Sequence, residues 1–259
     1  MATSAMLILL AGTAPASAIV DGQEDTTNIY ANVAAIEYNV DGDWYKGCTA
    51  TLIQPDVMLT AAHCVFGEVP ANVRVNFNPA RIQPADLNDP LAYPVESIVV
   101  HPDFAFGGHG MNSVTTLASP WEDIALIWLV EDVAGITPAP VAGLGYLDGL
   151  DPSAETFTAV GFGWDGMVIG SFVSRGAFEN SVPGYRTYRE VSIIGFGPYP
   201  DRIVMTSSAN CPGDSGGPLF HGQTVIALHD WTFGLRCDST SGHYRVDSAI
   251  AQEFLAENL

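Results

Sequence analysis

The sequence predicts an all-β fold, a sandwich or barrel finished by a terminal helix, and three observations predict it. Short apolar runs recur along the chain, Gly, Pro, Asn and Asp separate them, and helical periodicity is nearly absent before the last dozen residues. The 259 residues, 47% hydrophobic and 10% aromatic, suffice for one domain or two packed halves and exclude a disordered chain.

Residues 1–18 come first and read differently from the rest. Ala5 to Ala14 is almost wholly apolar, and Ala16-Ser17-Ala18 has the small-residue pattern that signal peptidase accepts, so a signal peptide is expected to end at Ala18 and the mature chain to begin at Ile19. No Lys or Arg precedes the apolar run, so the expectation rests on that run and the cleavage site; a buried N-terminal helix is the alternative. The run is too short to span a bilayer. Export predicts a secreted, extracellular protein with no membrane association after cleavage.

The strands follow. Candidates are Val33 to Tyr38, Thr49 to Ile53, Val57 to Thr60, Val73 to Phe77, Ser97 to Val100, Ile124 to Val130, Phe157 to Val160, Tyr188 to Ile194, Ile203 to Thr206 and Thr224 to Leu228. A Pro- and Gly-rich stretch, Gly135 to Gly149, is the candidate connection between two halves and is expected to lie along the surface. Ser248 to Asn258 is the predicted helix, with Ala249, Ile250, Phe254 and Leu255 on one face.

The net charge of −20 comes from 29 acidic residues against eight arginines and Lys46. Such a surface repels nucleic acid and anionic lipid, which excludes both as partners. It also exceeds the roughly 2 to 8 charges that solubility needs, and fits saline surroundings in which self-repulsion is screened. Four cysteines allow three pairings; Cys48 with Cys64 and Cys211 with Cys237 would each close a short loop, worth about 3 kcal/mol apiece. No Cys-x-x-Cys pair occurs, and His101, His109, His221 and His243 form no i,i+4 pair, so no metal site or cofactor is expected. Calcium on surface carboxylates stays open, with no spacing that selects a loop.

Three stretches carry chemistry. Cys211-Pro-Gly-Asp-Ser-Gly-Gly-Pro218 surrounds Ser215 with small residues, so a carbonyl can approach closely and the amides of Gly213 and Ser215 can point at one spot, as an oxyanion hole requires. His63 in Thr60-Ala61-Ala62-His63-Cys64 offers a base, and Asp123, at the start of an apolar run, a carboxylate to orient it. Taken singly, each is more commonly a structural residue.

Together, in this order, they resemble the trypsin and chymotrypsin family of serine endopeptidases. The resemblance includes Ile19-Val20-Asp21-Gly22, His101-Pro102-Asp103-Phe104, Gly161-Phe162-Gly163-Trp164 and Tyr244-Arg245-Val246, and spans the mature chain. It implies two packed antiparallel six-stranded β-barrels, 19–140 carrying His63 and Asp123 and 141–247 carrying Ser215, with residues 248–259 as the helix. It implies a monomeric hydrolase of protein or peptide substrates, working through a Ser215-His63-Asp123 triad. It also implies that Asp214 pairs with the α-ammonium of Ile19 to order the oxyanion loop. Here Ile19 directly follows the signal cleavage site, so signal peptidase itself would release the activating amine.

The resemblance puts Ala209 at the floor of the specificity pocket, where trypsin-like members have Asp, and Gly242 at its mouth. An uncharged, apolar preference is expected in place of a trypsin-like one. Where the family usually shows Ser-Trp-Gly, this chain has Ala227-Leu228-His229-Asp230-Trp231. His229 would either reach the pocket and favour an acidic substrate or pack, partly buried, at a strand end. Two other readings stand beside this one: an inactive protease-fold binding protein, and an α/β-hydrolase esterase, whose Gly-x-Ser-x-Gly elbow the letters around Ser215 also satisfy.

Overall fold

Val33–Val40 (β1) and Asp43–Gln54 (β2) form a hairpin whose register follows from its turn. Asp41 and Gly42 sit at φ +56° and +102°, the left-handed pair that a two-residue hairpin demands and that an Asp-Gly sequence accepts. In the computed structural model the structure describes residue 19 and residues 21–81, 85–104, 122–163, 184–197, 199–207, 210–232 and 239–259. The expectations for residues 1–18, Ala209 and Cys237 therefore lie outside the described residues.

The hairpin continues into Val57–Thr60 (β3), Val73–Asn76 (β4), Ala92–Val100 (β5) and Ala125–Leu129 (β6). These six close a barrel in the order β1-β2-β3-β6-β5-β4, with every pair antiparallel. Their apolar runs lack polar alternation because both strand faces are covered. Ala34, Ile36, Met58 and Ile127 fill the barrel, whereas Val33, Ala35, Val57, Leu59 and Leu126 point outward into a second cluster shared with the other half.

The second half comprises Phe157–Gly161 (β7), Thr187–Val191 (β8), Ile193–Phe196 (β9), Ile203–Thr206 (β10), Pro218–His221 (β11), Thr224–Thr232 (β12) and Ser241–Arg245 (β13). With Gln23–Glu24 on one edge, the sheet order is β8-β7-β11-β12-β13-β10-β9. Only Ser192 separates β8 from β9, so one bent stretch lies toward opposite ends of the sheet order, with only Gln23–Glu24 outside β8, and curls the sheet on itself. The second barrel is thus a curled half-barrel among the described residues, not a closed six-stranded one.

The connection is pinned, first to one half and then to the other. Ala139 N–H donates to the Leu52 carbonyl at 2.8 Å, and Ala142 N–H to the Val225 carbonyl at 2.9 Å. A short turn of helix, Ala62–Val65 (α1), follows β3, and Ala249–Asn258 (α2) closes the chain. Ser248 caps α2, its Oγ accepting from Ala251 N–H at 3.2 Å. The buried face of α2 is Ala251, Phe254 and Leu255, with Ala249 exposed, so the expected stripe is rotated by half a turn at its start.

Much of the scarce positive charge is drawn inside. Arg186 is fully buried, 2.6 Å from Asp25 and 2.8 Å from the Val33 carbonyl, and Arg74 lies 2.6 Å from Glu37. Lys46 is buried with its Nζ donating to the Phe162 carbonyl. The acidic residues that face solvent are correspondingly less compensated.

Candidate active site

His63 is delivered by the junction between β3 and α1. Ala61 and Ala62 are fully buried, which lets the chain turn sharply against the barrel, and the Cys48–Cys64 disulfide ties α1 to β2. Closing a loop of sequence separation 16 contributes about 3 kcal/mol by restricting the unfolded chain. Asp123 precedes β6 and is fully buried. Its Oδ2 lies 2.6 Å from His63 Nδ1, and its Oδ1 accepts the His63 backbone N–H at 2.8 Å. The two contacts hold both the imidazole and the backbone beneath it.

Burial opposes ionisation of each partner, yet their mutual attraction overcomes it. For Asp123 burial is the strongest single influence and pushes the carboxyl up, but the charge and hydrogen bonds of His63, with a smaller effect of the neighbouring Asp230 carboxyl, hold it below the usual carboxylate range. For His63 burial pushes down, and the Asp123 charge and hydrogen bond leave it raised. The His63 side chain keeps 18% of its surface exposed, so one edge of the ring is open to solvent.

The Ser215 turn packs directly on this junction. A Cβ on Gly216 would stand 2.1 Å from Thr60 Oγ1 and 2.9 Å from Ala61 N, and the residue's φ is +76°, so only glycine fits. The Ser215 carbonyl accepts from Thr49 N–H at 2.9 Å and lies 3.5 Å from Cys64 Sγ. Within the turn, Asp214 N–H donates to the Cys211 carbonyl, Gly216 N–H to that of His229 and Gly217 N–H to that of Asp214, at 3.0, 2.8 and 2.9 Å. Among the described residues no acceptor engages the amides of Gly213 and Ser215. Gly213 has φ +98°, a left-handed conformation that glycine adopts without penalty.

Asp214 points away from this surface. It is fully buried, and its carboxylate accepts from Gly163 N–H at 2.6 Å and Cys211 N–H at 2.8 Å. Cβ atoms on Gly161 and Gly163 would stand 2.1 and 2.3 Å from its oxygens, so both glycines are required. Ile19 is also fully buried, its N–H donating to Thr187 Oγ1 at 2.7 Å.

The pocket residues are divided. The space beside Gly242 is filled by the Trp231 indole, whose atoms come within 2.2 to 2.7 Å of where a Cβ would stand. Cys211 is disulfide-bonded. His229 lies inside β12 and is buried, with its Nδ1 2.8 Å from Nδ1 of His243, so its ring turns into the protein. His243 Nε2 in turn meets Thr206 Oγ1 at 2.7 Å. Burial pushes His229 down to about 3, against a smaller pull from the Val160 backbone. His243 falls well below the ordinary histidine value through burial and the neighbouring His229.

Sequence reasoning missed Asp230. The pairing of β12 with β13 jumps from His229–His243 to Trp231–Gly242, leaving Asp230 on a bulge. One atom each of His63, Asp123 and Asp230 lie within 4.8 Å of one another. The signal was available: an acid stands just before the tryptophan, where the family usually has Ser. Among the described residues a second close group of ligand-type side chains is Cys48, His63 and Cys64, and its two sulfurs are joined to each other.

An α/β-hydrolase finds no support in this fold, whose strand pairs among the described residues are antiparallel and whose Ser215 turn leads into β11, not a helix. The family model described as Trypsin matches residues 19–251. The vitellin-degrading protease of Bombyx mori is 26% identical over 82% of this chain and 76% of its own length. A tryptase of Mus musculus is 30% identical over 78% of this chain and 72% of its own. The solved structure of HL collagenase superposes with a TM-score of 0.66 at 20% identity, covering 92% of this chain and 97% of that one. A half-barrel packed on a closed barrel, a histidine held by a buried acid beside a glycine-rich serine turn, and a family match over nearly the whole length lead to one conclusion: the chain belongs to the trypsin family of serine proteases.

Proposed function

We propose that this protein is a secreted serine endopeptidase in which Ser215, His63 and Asp123 act as the triad. The observation that carries the reading is the fully buried Asp123 engaging both the ring and the backbone of His63. That grip selects the tautomer with its proton on Nδ1 and leaves Nε2 to act as base. Ser215 Oγ attacks the scissile carbonyl carbon as His63 takes its proton. The oxyanion develops against the Gly213 and Ser215 amides, and the proton passes to the departing amine as the C–N bond breaks. Water then repeats the sequence on the acyl-enzyme. The division of labour follows the halves, with residues 19–140 supplying base and acid and 141–247 the nucleophile.

Activation follows from chain ends. Cleavage after Ala18 converts the buried Ile19 nitrogen into an ammonium within the half that holds Asp214, and a buried carboxylate gains most from such a partner. The protein then works as a monomer outside the cell on protein or peptide substrates. Ala209, at the position that the resemblance assigns to the pocket floor, and the Trp231 indole against Gly242 favour an uncharged, apolar side chain before the scissile bond.

The test uses the processed protein and peptides that vary only in that side chain. Apolar residues should give the highest kcat/KM and Lys or Arg the lowest, with Ser215→Ala reducing all by about 10⁴ or more. Intact mass should give Ile19 as the first residue. Hydrolysis that survives Ser215→Ala would reject the triad; a different first residue would reject the activation scheme.

A further inference from the structure

We propose that Asp230 is a positioning residue for the triad: it keeps its proton at neutral pH and donates it to the Asp123 carboxylate, so the buried pair carries one negative charge. Asp230 sits on the bulge between His229 and Trp231, and its carboxyl comes beside Asp123 and His63 of the first barrel. Its relative exposure is 8% and that of Asp123 is zero, and their carboxyl groups meet with His63 inside a 4.8 Å triangle. Two carboxyl groups brought this close away from water do not both ionise, so one of them keeps a proton, and that proton can then bridge the pair. Asp123 is the member that faces two donors of His63, at 2.6 and 2.8 Å, so the charge rests there and the proton on Asp230.

The titratable groups around the pair fit this assignment. His63 on α1 faces it directly. His229 and His243, on β12 and β13, are held neutral by burial and bonded to each other. Glu122, next to Asp123, turns instead to the Tyr244 hydroxyl at 2.5 Å and to Arg202 at 2.6 Å. With one charge, the carboxyl pair matches the single imidazolium that His63 forms during a turnover. With two, it would hold His63 protonated and impair it as a base.

The inference rests on the catalytic reading only for its effect on rate, and its primary test avoids activity. In Ser215→Ala protein, the His63 imidazole is titrated by NMR with and without Asp230→Asn, which keeps a donor and removes the ionisable group. The His63 midpoint should move by less than about 0.3 unit; a fall of about one unit or more would mean that Asp230 had been charged, and would overturn the proposal. Infrared spectra of the same protein with labelled aspartate should contain a protonated-carboxyl band at pH 7 that Asp230→Asn removes, and its absence would equally overturn it. In the active protein, Asp230→Leu, which has no donor, should lower kcat about tenfold with little change in KM and shift the acidic limb of the pH profile. Unchanged kcat in a folded Asp230→Leu protein would refute the positioning role. Should the wild type prove inactive, the catalytic reading fails while the titration and the infrared band still decide the protonation state.

Discussion

The paired histidines His229 and His243 make the protein sensitive to mild acid, and the size of the effect follows from their surroundings. Both are buried, and their Nδ1 atoms lie 2.8 Å apart, so one ring must present a lone pair to the other's N–H. A histidine held below its ordinary value in the folded state binds its proton only on unfolding. Its stabilising effect is therefore complete above the unfolded value of about 6.5, is lost as pH falls through that value, and levels off where the folded group protonates, for His229 at about 3. Between pH 7 and pH 5, His229 alone should cost about 2 kcal/mol, or roughly 4 to 8 °C in Tm for a domain of this size. His243 acts in the same direction. His63 acts in the opposite sense because its value is raised, but it is common to both proteins in the comparison that follows. Urea denaturation at pH 7 and pH 5 should be compared between Ser215→Ala protein, which lacks the proposed nucleophile and so limits self-digestion, and the same protein carrying His229→Leu and His243→Leu. The replacements should destabilise at pH 7, where Thr206 loses its partner, and the gap should narrow by at least about 2 kcal/mol at pH 5. A gap that is the same at both pH values would refute the reasoning.

Other expectations follow from particular contacts. Gly216→Ala introduces a Cβ 2.1 Å from Thr60 Oγ1 in a left-handed residue, so it should cost about 1 to 3 kcal/mol and displace Ser215; thermal melts and peptide hydrolysis read the two effects separately. Arg186→Leu leaves the Asp25 carboxylate buried beside an apolar side chain and should destabilise by about 3 to 5 kcal/mol, whereas Arg186→Leu with Asp25→Leu should recover much of that loss, as denaturant midpoints would register. Because the net charge is −20 and several cations are internal, raising NaCl from about 0.1 M to 1 M should raise Tm by several degrees as the Debye length falls from about 10 to 3 Å. A Tm that stays flat or falls with salt would remove the argument for self-repulsion.

Much of the fold was legible because its strands are covered on both faces. Runs such as Val33 to Tyr38 and Ile124 to Val130 are apolar without alternation, and each sends one set of side chains into its own barrel and the other between the halves. What could not be read are strands whose polar residues are satisfied internally. Ser241–Arg245 is entirely buried, yet it contains Ser, Gly, His and Arg, because Thr206, His229 and Asp247 meet those side chains. Tyr188 to Ile194 reads as one strand, but the bend at Ser192 divides it between opposite ends of the sheet order. The curl of the sheet depends on that bend.

The site divides along the same line. Ser215, His63 and Asp123 stand in local patterns that carry their own signal, and the structure adds the distances between His63 and Asp123. Asp230 could not be assigned from its neighbours, since a bulge decides which way it faces and only the pairing register reveals the bulge. His229 was open to two readings because nothing local says whether a partner such as His243 waits across the strand.

The most direct test of the central claim is the reaction of the processed protein with an organophosphorus fluoride, read by peptide mass spectrometry. A hydroxyl activated by a neighbouring base should give one adduct, on Ser215, formed faster than hydrolysis of the reagent and slowed by about 10³ or more in His63→Ala. Folded protein that gains no adduct on Ser215, or gains it equally fast without His63, would contradict the account.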